Sequence, residues 1–226
     1  MLKVEDISVS YGPVKVLSGI SLDVDDDEVL AVIGPNGHGK TTLLKSIAGL
    51  LAPNLGEIWF NGERTDKLSP HEIIKRGIVL LLEGGGYLPN LTVIENLKLG
   101  AYTQRNKVKE RLERVYTIFP WLRDRSNQLN WTLSGGERRM LAIARCLMSD
   151  SQLLLLDEPT WGVASKVQSE IADVIRRVRS EGNSFLISES NLPFASQLAD
   201  RVLLLKDNTI TPLDKETIRE KMMRYL

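Results

Sequence analysis

Residues 34–42 read Gly34-Pro35-Asn36-Gly37-His38-Gly39-Lys40-Thr41-Thr42, and this stretch is the strongest indicator of the fold. They satisfy the P-loop pattern, in which a glycine and four further residues are followed by Gly-Lys-Ser/Thr. The preceding residues, 29–33, form an apolar, largely β-branched run that predicts a buried strand. The following residues, 43–50, predict a helix with one apolar face. The strand, loop and helix that the pattern requires therefore occur in the required order.

This motif predicts a site for a nucleoside triphosphate. Glycines let the backbone turn tightly, so that successive N–H groups point into one concavity and bind phosphate oxygens. The N-terminus of the following helix adds a partial positive charge. We expect Lys40 to reach the β- and γ-phosphates and the Thr41 hydroxyl to ligate Mg²⁺. A glycine-rich turn that matches by chance is the alternative, and the strand and helix on either side argue against it.

Composition limits the classes of protein that fit. The 226 residues suit one large domain, or one domain with a subdomain. Lys plus Arg and Asp plus Glu number 29 each, so nothing suggests a bulk attraction to nucleic acid. The single cysteine, Cys146, rules out an internal disulfide, and its apolar neighbours predict a buried structural thiol in a reducing cytosol. Without an 18-residue apolar run or a signal-peptide pattern, we expect a chain that does not span a membrane by itself.

A second motif is the apolar run 153–156, which ends in Asp157, Glu158 and Pro159. Carboxylates at the tip of a buried strand are costly unless they bind a cation or hydrogen-bond donors. Asp157 is suited to holding Mg²⁺, and Glu158 to polarising the water that attacks the γ-phosphate. A solvated acidic turn is the alternative.

The rest of the chain alternates between strand and helix patterns. Strands are predicted at 2–10, 16–24, 57–60, 78–82 and 184–188, and helices from Ser69-Pro70 and over 167–179. Between about 90 and 150 the pattern is helical, with Pro120 as an interruption. The sequence therefore predicts an α/β P-loop core that a helical insertion divides.

The motif that points to a family is Leu133-Ser134-Gly135-Gly136-Glu137, twenty residues before Leu153. Ser134 and Glu137 also have the spacing of a helix capping box, which is the simpler interpretation. Together with the P-loop and the acid-tipped strand, however, this LSGGE motif resembles the signature of the nucleotide-binding subunits of ABC transporters. The resemblance covers essentially the whole chain.

The resemblance implies a fold and the residue bounds of its subdomains. It implies an α/β fold with a P-loop NTPase core, a small antiparallel β subdomain and an inserted helical subdomain. These form one nucleotide-binding domain over 1–226, with the core and β subdomain in 1–90 and 151–226 and the helical subdomain in about 91–150.

The resemblance also implies a head-to-tail dimer in which ATP lies between the P-loop of one subunit and the signature of the other. ATP would contact Tyr11, which would stack on adenine, and Gly34, Pro35, Asn36, Gly37, His38, Gly39, Lys40, Thr41 and Thr42. The opposite subunit's ATP would contact Leu133, Ser134, Gly135, Gly136 and Glu137. Glu158 would be catalytic, Mg²⁺ would be held by Thr41, Glu83 and Asp157, and Ser190 would occupy the switch position. For Tyr11, a core or surface tyrosine is the alternative.

Within the family, the chain is most similar to importers of branched-chain amino acids and related polar solutes. Three features carry this similarity: Glu83 in the loop after the 78–82 strand, the stretch 87–97 (YLPNLTVIENL) and the stretch 140–145 (MLAIAR). We expect an ATPase that energises uptake of a small solute, such as an amino acid, from the cytoplasmic face of the cell membrane. Its partners would be transmembrane permease subunits, a second nucleotide-binding subunit (homo- or heterodimer) and, indirectly, an extracytoplasmic solute-binding protein, with no nucleic acid. The apolar residues of 87–97 are candidates for the permease contact.

Four departures from the family pattern keep alternatives open. His38 occupies a P-loop position that usually holds alanine or serine, and Trp161-Gly162-Val163-Ala164 replaces the usual loop after the acid-tipped strand. Ser190 stands where a switch histidine or glutamine is usual. Arg138-Arg139 replaces the usual glutamine pair after the signature, and a solvated or partner-facing role is expected for the two arginines. We expect slow ATP hydrolysis. The alternatives are a regulatory subunit that binds ATP but hydrolyses it poorly, and a soluble ABC ATPase with no role in transport.

Overall fold

The computed structural model describes residues 1–214, 216–218 and 220, and the elements within them alternate along the chain. Strands β1 to β10 span Leu2–Tyr11, Val14–Val24, Val29–Ile33, Leu55–Phe60, Glu63–Arg64, Ile78–Leu81, Leu153–Asp157, Ser184–Glu189, Arg201–Lys206 and Thr209–Leu213. Helices α1 to α8 span Lys40–Ile47, Pro70–Arg76, Val93–Gly100, Val108–Ile118, Pro120–Asp124, Gly135–Leu147, Ser165–Ser180 and Leu192–Leu198. Short 3₁₀ segments lie at Tyr102–Lys107 and Asn130–Thr132.

The larger sheet has six strands in the order β10-β9-β3-β8-β7-β6. Its strands are parallel except β10, which pairs antiparallel with β9. The pairing register sets Ile33 opposite Glu189 and Asp157 opposite Ser188. Because parallel strands end at the same edge of a sheet, the P-loop after β3 and the acids that end β7 and β8 lie side by side.

A smaller antiparallel sheet, in the order β2-β1-β4-β5, packs beside the first. Helix α1 shares a core with both sheets, in which Leu43, Leu44 and Ile47 are fully buried. At the turn between β4 and β5, Asn61 and Gly62 both have positive φ, of 50° and 80°. This conformation explains why an Asn-Gly pair occupies the turn.

Helices α3 to α6 pack on the opposite face of the larger sheet. Val93 and Leu97 of α3 and Leu141 of α6 belong to a core that also takes in Leu154 of β7. Cys146 lies in this core with 7% of its surface exposed, and burial raises the pKa of its thiol to about 11. The predicted structural thiol is confirmed. The proposed subdomain limits, at about 91 and 150, stay a prediction.

Most of the predicted elements are confirmed to within two residues at each end, and the helix predicted over 43–50 is the exception. Pro120 is the first residue of α5, and Ser69 caps α2 with Pro70 at its first position, as the sequence predicts. The helix predicted to extend to residue 50 ends instead at Ile47, because Gly49 adopts a left-handed φ of 70°. Helix α8 and strands β9 and β10 were not predicted from the sequence. No helix in the described part of the chain combines the length and apolar character that a bilayer crossing needs.

Candidate active site

The P-loop is shaped by two glycines that admit no side chain. Gly39 precedes α1 with a φ of 100°, and an added Cβ would lie 2.7 Å from a Leu17 methyl carbon. At Gly34 the equivalent atom would lie 2.1 Å from the Leu205 carbonyl oxygen. The loop therefore follows a path that other residues would strain. This path brings it to the amino end of α1, where backbone N–H groups and the helix dipole favour an anion.

Lys40 is buried at the start of α1, with 5% of its surface exposed. Its ammonium donates to the carbonyl oxygens of Gly34 at 2.7 Å and Pro35 at 3.3 Å. The same nitrogen lies 3.0 Å from Glu158 Oε1. Lys40 is thus the cation that joins the P-loop to the acidic end of β7.

Asp157 ends β7 directly behind the P-loop and is fully buried. Its Oδ1 accepts hydrogen bonds from the Thr41 hydroxyl at 3.2 Å and the Ser188 hydroxyl at 2.5 Å. Its Oδ2 is buried without a hydrogen-bond partner among the described residues. A buried carboxylate oxygen with no donor is costly, and a cation would satisfy it. Thr41 and Asp157 therefore fit the oxygen ligands that Mg²⁺ takes beside nucleotide phosphates.

Glu158 lies at the first residue after β7, with its backbone in the left-handed region at a φ of 46°. The Ser190 backbone N–H donates to Oε2 at 3.1 Å, and the Ser190 hydroxyl donates to the same atom at 2.9 Å. The other oxygen, Oε1, faces Lys40 at 3.0 Å. A backbone strained in this way and a carboxylate held from two sides are typical of a functional position.

A cavity of about 400 Å³ brings most of the predicted nucleotide site together. Its walls include Glu83, Glu158 and the half-exposed Tyr11, together with Asn36, Gly37, Gly39, Lys40, Thr41 and Thr42. Ser190 lines an adjacent cavity of about 450 Å³ with Gly34 and Pro35. His38 lines neither cavity, and its Nδ1 instead accepts a hydrogen bond of 3.3 Å from the Asp207 backbone N–H.

The signature residues Leu133 to Glu137 are not part of the P-loop cavity. Ser134 caps α6, since its hydroxyl accepts from Glu137 N–H at 3.2 Å and Glu137 accepts from Ser134 N–H at 2.8 Å. Ser134 and Gly135 are exposed, whereas Leu133 is buried. The capping box predicted from the spacing of Ser134 and Glu137 is therefore confirmed. It leaves the exposed amino end of α6 on a surface that a second molecule can reach.

Glu189 is the acid that the sequence analysis missed. It ends β8, is fully buried, and accepts hydrogen bonds from the Thr160 backbone N–H at 3.0 Å and hydroxyl at 2.7 Å. Burial raises the pKa of its carboxyl to about 6, and the charge of Glu158 acts in the same direction. The sequence holds a pattern that could have identified Glu189, because an acid directly follows the predicted strand 184–188 just as one follows the run 153–156. Glu189 fixes Thr160 in the loop that follows Glu158.

The interpretation of Arg139 as solvated or partner-facing is wrong. Arg139 has 8% of its surface exposed, and its Nη2 donates to the Trp161 carbonyl oxygen at 3.3 Å. Burial lowers the pKa of its guanidinium, although the nearby acids, Glu83 foremost, oppose the shift. Trp161, whose ring is half exposed, lines the P-loop cavity, the adjacent cavity that Ser190 lines, and a third cavity of about 260 Å³ that Arg139 also lines. Two of the departures from the family pattern therefore meet beside the candidate active site.

Comparison with known proteins gives concordant results. The family model described as ABC transporter matches residues 17–161. The high-affinity branched-chain amino acid transport ATP-binding protein BraG of Pseudomonas aeruginosa is 37% identical over 215 residues, which cover 95% of this chain and 92% of that protein. The probable branched-chain amino acid transport ATP-binding protein LivF of Archaeoglobus fulgidus is 38% identical over 207 residues, covering 91% and 88%.

Solved structures agree with the family match. A nucleotide-free ATP-binding cassette from an ABC transporter superposes with a TM-score of 0.86 at 27% identity, and the match covers 99% of this chain and 95% of that one. The predicted α/β fold with a P-loop NTPase core is confirmed.

Proposed function

The chain belongs to the ABC transporter family and is an ATP-binding ATPase, and on that premise we propose that it energises the import of amino acids. The names of BraG and LivF give branched-chain amino acid transport as their role, and both relatives match more than nine-tenths of this chain. Branched-chain amino acids are therefore the first cargo to test. The role of the ATPase is to convert nucleotide binding and hydrolysis into motion of membrane partners.

In this proposal ATP occupies the P-loop cavity. The triphosphate lies along the P-loop, where Lys40 exchanges its carbonyl partners for the β- and γ-phosphates. Tyr11, at the rim of the cavity, is available to stack on the adenine ring. Mg²⁺ would be held by Thr41 and Asp157, with Glu83, which also lines the cavity, as a further oxygen ligand. When bound, the ion neutralises charge on the phosphates.

One observation carries the catalytic part of the proposal: the Glu158 carboxylate is held between Lys40 and Ser190 at the edge of the cavity. Two donors on Oε2 orient the group, so that Oε1 is the oxygen that becomes available when Lys40 turns to the phosphates. Glu158 then accepts a proton from the attacking water. The water oxygen bonds to the γ-phosphorus as the bond from that phosphorus to the bridging oxygen of ADP breaks. The products are ADP and phosphate.

The exposed signature segment supports a dimer as the hydrolysing unit. Ser134 and Gly135 are exposed at the amino end of the 13-residue helix α6, outside the cavity of their own subunit. Such an end offers backbone N–H donors and a positive dipole. We infer that it contacts the γ-phosphate of ATP bound to the other cassette.

A groove of about 480 Å³ is the candidate contact for the transmembrane subunits. It lies between α2, β6 and α3, and its walls include the exposed apolar side chains of Ile74, Leu99 and Tyr102. An apolar surface of this kind on a protein with polar surroundings suits a protein partner. Of the stretch 87–97, only Leu88 lines the groove, because Val93 and Leu97 are fully buried in the core. We therefore place the candidate permease contact largely on α2, β6 and α3, and not on the apolar residues of 87–97.

Extraction from the native membrane tests the transport role. We expect the chain to co-purify with transmembrane proteins after mild detergent extraction, and vesicles holding the complex to take up branched-chain amino acids only with ATP. Co-purification that Leu99→Glu abolishes, while ATP binding persists, would support the groove. A chain that hydrolyses ATP yet never associates with membranes would contradict the transport role and favour a soluble ATPase.

A further inference from the structure

We propose that Arg145 is a positioning residue for ATP hydrolysis, because it fixes the loop that holds Glu83 at the P-loop cavity. This loop, called here the glycine loop, is Gly84-Gly85-Gly86. It directly follows Glu83, which lines the P-loop cavity. Arg145 lies in α6 and is partly buried. The inference rests on the place beside ATP that the proposed function gives to Glu83.

The glycine loop has a backbone conformation that is not stable by itself. Its three glycines all have positive φ, of 80°, 70° and 59°. The loop belongs to no helix or strand, so it lacks the regular backbone hydrogen bonds of either. Glycine also loses more conformational freedom than any other residue when a chain becomes ordered. Contacts from outside the loop are therefore needed to hold it in one conformation.

Arg145 supplies such contacts from α6. Its Nη1 donates to the Gly86 carbonyl oxygen at 3.0 Å, and its Nη2 donates to the Gly85 carbonyl oxygen. One guanidinium thus holds two successive peptide groups, and hydrogen bonds from a charged donor are stronger than those between neutral groups. A Cβ added at Gly85 would lie 2.8 Å from the Ala142 Cβ, so the loop also packs closely on α6 about one turn before Arg145.

The guanidinium of Arg145 is itself held in place by α3. Its Nη1 also donates to Asn96 Oδ1 at 3.4 Å. Asn96 is buried, and its Nδ2 donates to the carbonyl oxygens of Leu91 at 3.2 Å and Thr92 at 2.9 Å, which fixes the direction of Oδ1. Within the described residues, the acceptors that Arg145 uses are all neutral. Its charge therefore serves the glycine loop and not an ion pair.

A turn connects the glycine loop to Glu83. The Gly85 N–H donates to the Leu82 carbonyl oxygen at 2.9 Å. This bond closes a four-residue turn whose central residues are Glu83 and Gly84, and positive φ at the second central residue is what a type II turn requires. Gly85 therefore closes the turn through its N–H while Arg145 holds its carbonyl oxygen. Without Arg145, the turn is free to open and the Glu83 carboxylate loses its fixed position at the cavity.

Amide hydrogen exchange, measured residue by residue on the purified chain, tests whether Arg145 holds the loop. We expect the Gly85 amide to exchange at least about tenfold faster in Arg145→Ala, because local opening exposes it. Arg177→Ala is the matched control, since it removes an exposed arginine that donates to the Thr117 carbonyl oxygen at 2.9 Å, and it should leave Gly85 unchanged. Arg145→Lys keeps the charge without the planar two-armed donor and should give an intermediate rate, which also serves if Arg145→Ala does not fold.

A double-mutant cycle on ATP hydrolysis tests whether the loop positions Glu83. Because misplacing a group at a reacting site costs up to about 100-fold, we expect Arg145→Ala and Glu83→Ala each to lower kcat roughly tenfold. The Mg²⁺ concentration that gives half the maximal rate should rise in both. If Arg145 acts through Glu83, the double variant is no slower than Glu83→Ala, whereas independent effects would multiply.

Four results would overturn the proposal: unchanged exchange of Gly85, an unchanged rate in Arg145→Ala, effects that multiply in the double variant, or an unchanged rate in Glu83→Ala. Glu158→Gln, measured beside these variants, separates this proposal from the proposed function. Loss of activity in Glu158→Gln together with an unchanged rate in Glu83→Ala would reject the positioning role of Arg145 alone.

Discussion

Replacing Ser190 by alanine removes one of the two donors to Oε2 of the proposed catalytic carboxylate, Glu158. The Ser190 hydroxyl donates to Glu158 Oε2 at 2.9 Å, and the backbone N–H of the same residue, at 3.1 Å, is retained in the variant. A hydrogen bond to a charged group contributes about 1.5–3 kcal/mol, and the exposure of Ser190 favours the lower figure. If that energy orients Glu158 for proton transfer, kcat for ATP hydrolysis falls about tenfold, since 1.36 kcal/mol corresponds to a factor of ten.

The expected signature is a change in kcat without a change in KM for ATP. Ser190 does not line the P-loop cavity, so loss of its hydroxyl leaves the binding surface intact. Steady-state ATP hydrolysis over a range of ATP concentrations separates the two constants. Ser190→Thr keeps a hydroxyl and should retain most of the activity. Ser180→Ala removes an exposed hydroxyl that donates only to the Arg177 carbonyl at the end of α7, and it is the matched control.

Two results would refute this reasoning. If Ser190→Ala hydrolysed ATP at the wild-type rate, the hydroxyl would not orient Glu158 during catalysis. If KM rose while kcat stayed constant, Ser190 would act on nucleotide binding instead, and its bond to Glu158 would have no catalytic consequence.

Three further predictions concern pH dependence, thiol reactivity and coupling. The pKa of Glu189 is raised from 4.5 to about 6, so its protonated form stabilises the fold and that stability is lost as pH rises. Between pH 4 and 7 the free energy of unfolding in urea should therefore fall by about 2 kcal/mol more in the wild type than in Glu189→Gln. The same pH dependence in both proteins would contradict the shift. Cys146, with a pKa near 11, should resist a thiol reagent at pH 8 until the chain unfolds, and fast labelling of folded protein would disprove its burial. Leu99→Glu should abolish transport and leave the ATP affinity of the isolated chain unchanged; a parallel loss of affinity would instead indicate misfolding.

Local patterns predicted the elements that form the nucleotide site. The strand, turn and helix around the P-loop depend on residues close in sequence, so the observed β3 lies where the apolar run predicts it. The end of α1 was missed because Gly49 overrides the apolar periodicity that continues to residue 50. Asp157 and Glu158 could be singled out because an acid at the end of an apolar strand stands out in the sequence itself.

What the sequence could not predict depends on contacts between distant parts of the chain. Arg139 reads as a surface residue, and only the packing of α6 against the loop after β7 buries it beside Trp161. The bond between Ser190 and Glu158 likewise requires β7 and β8 to be neighbours in register. The same neighbour relation brings Glu189 to Thr160. Sequence spacing alone identifies none of these pairs.

The central claim is that this chain hydrolyses ATP with Glu158 as the base, although the proposed switch position, 190, holds a serine. Steady-state hydrolysis by the purified wild type beside Glu158→Gln tests it most directly, with ATP binding measured for both. We expect slow hydrolysis in the wild type, a rate at least about 100-fold lower in the variant, and equal ATP affinity. Equal rates in the two proteins would contradict the claim. The chain would then bind ATP as a regulatory subunit, or its hydrolysis would use another group.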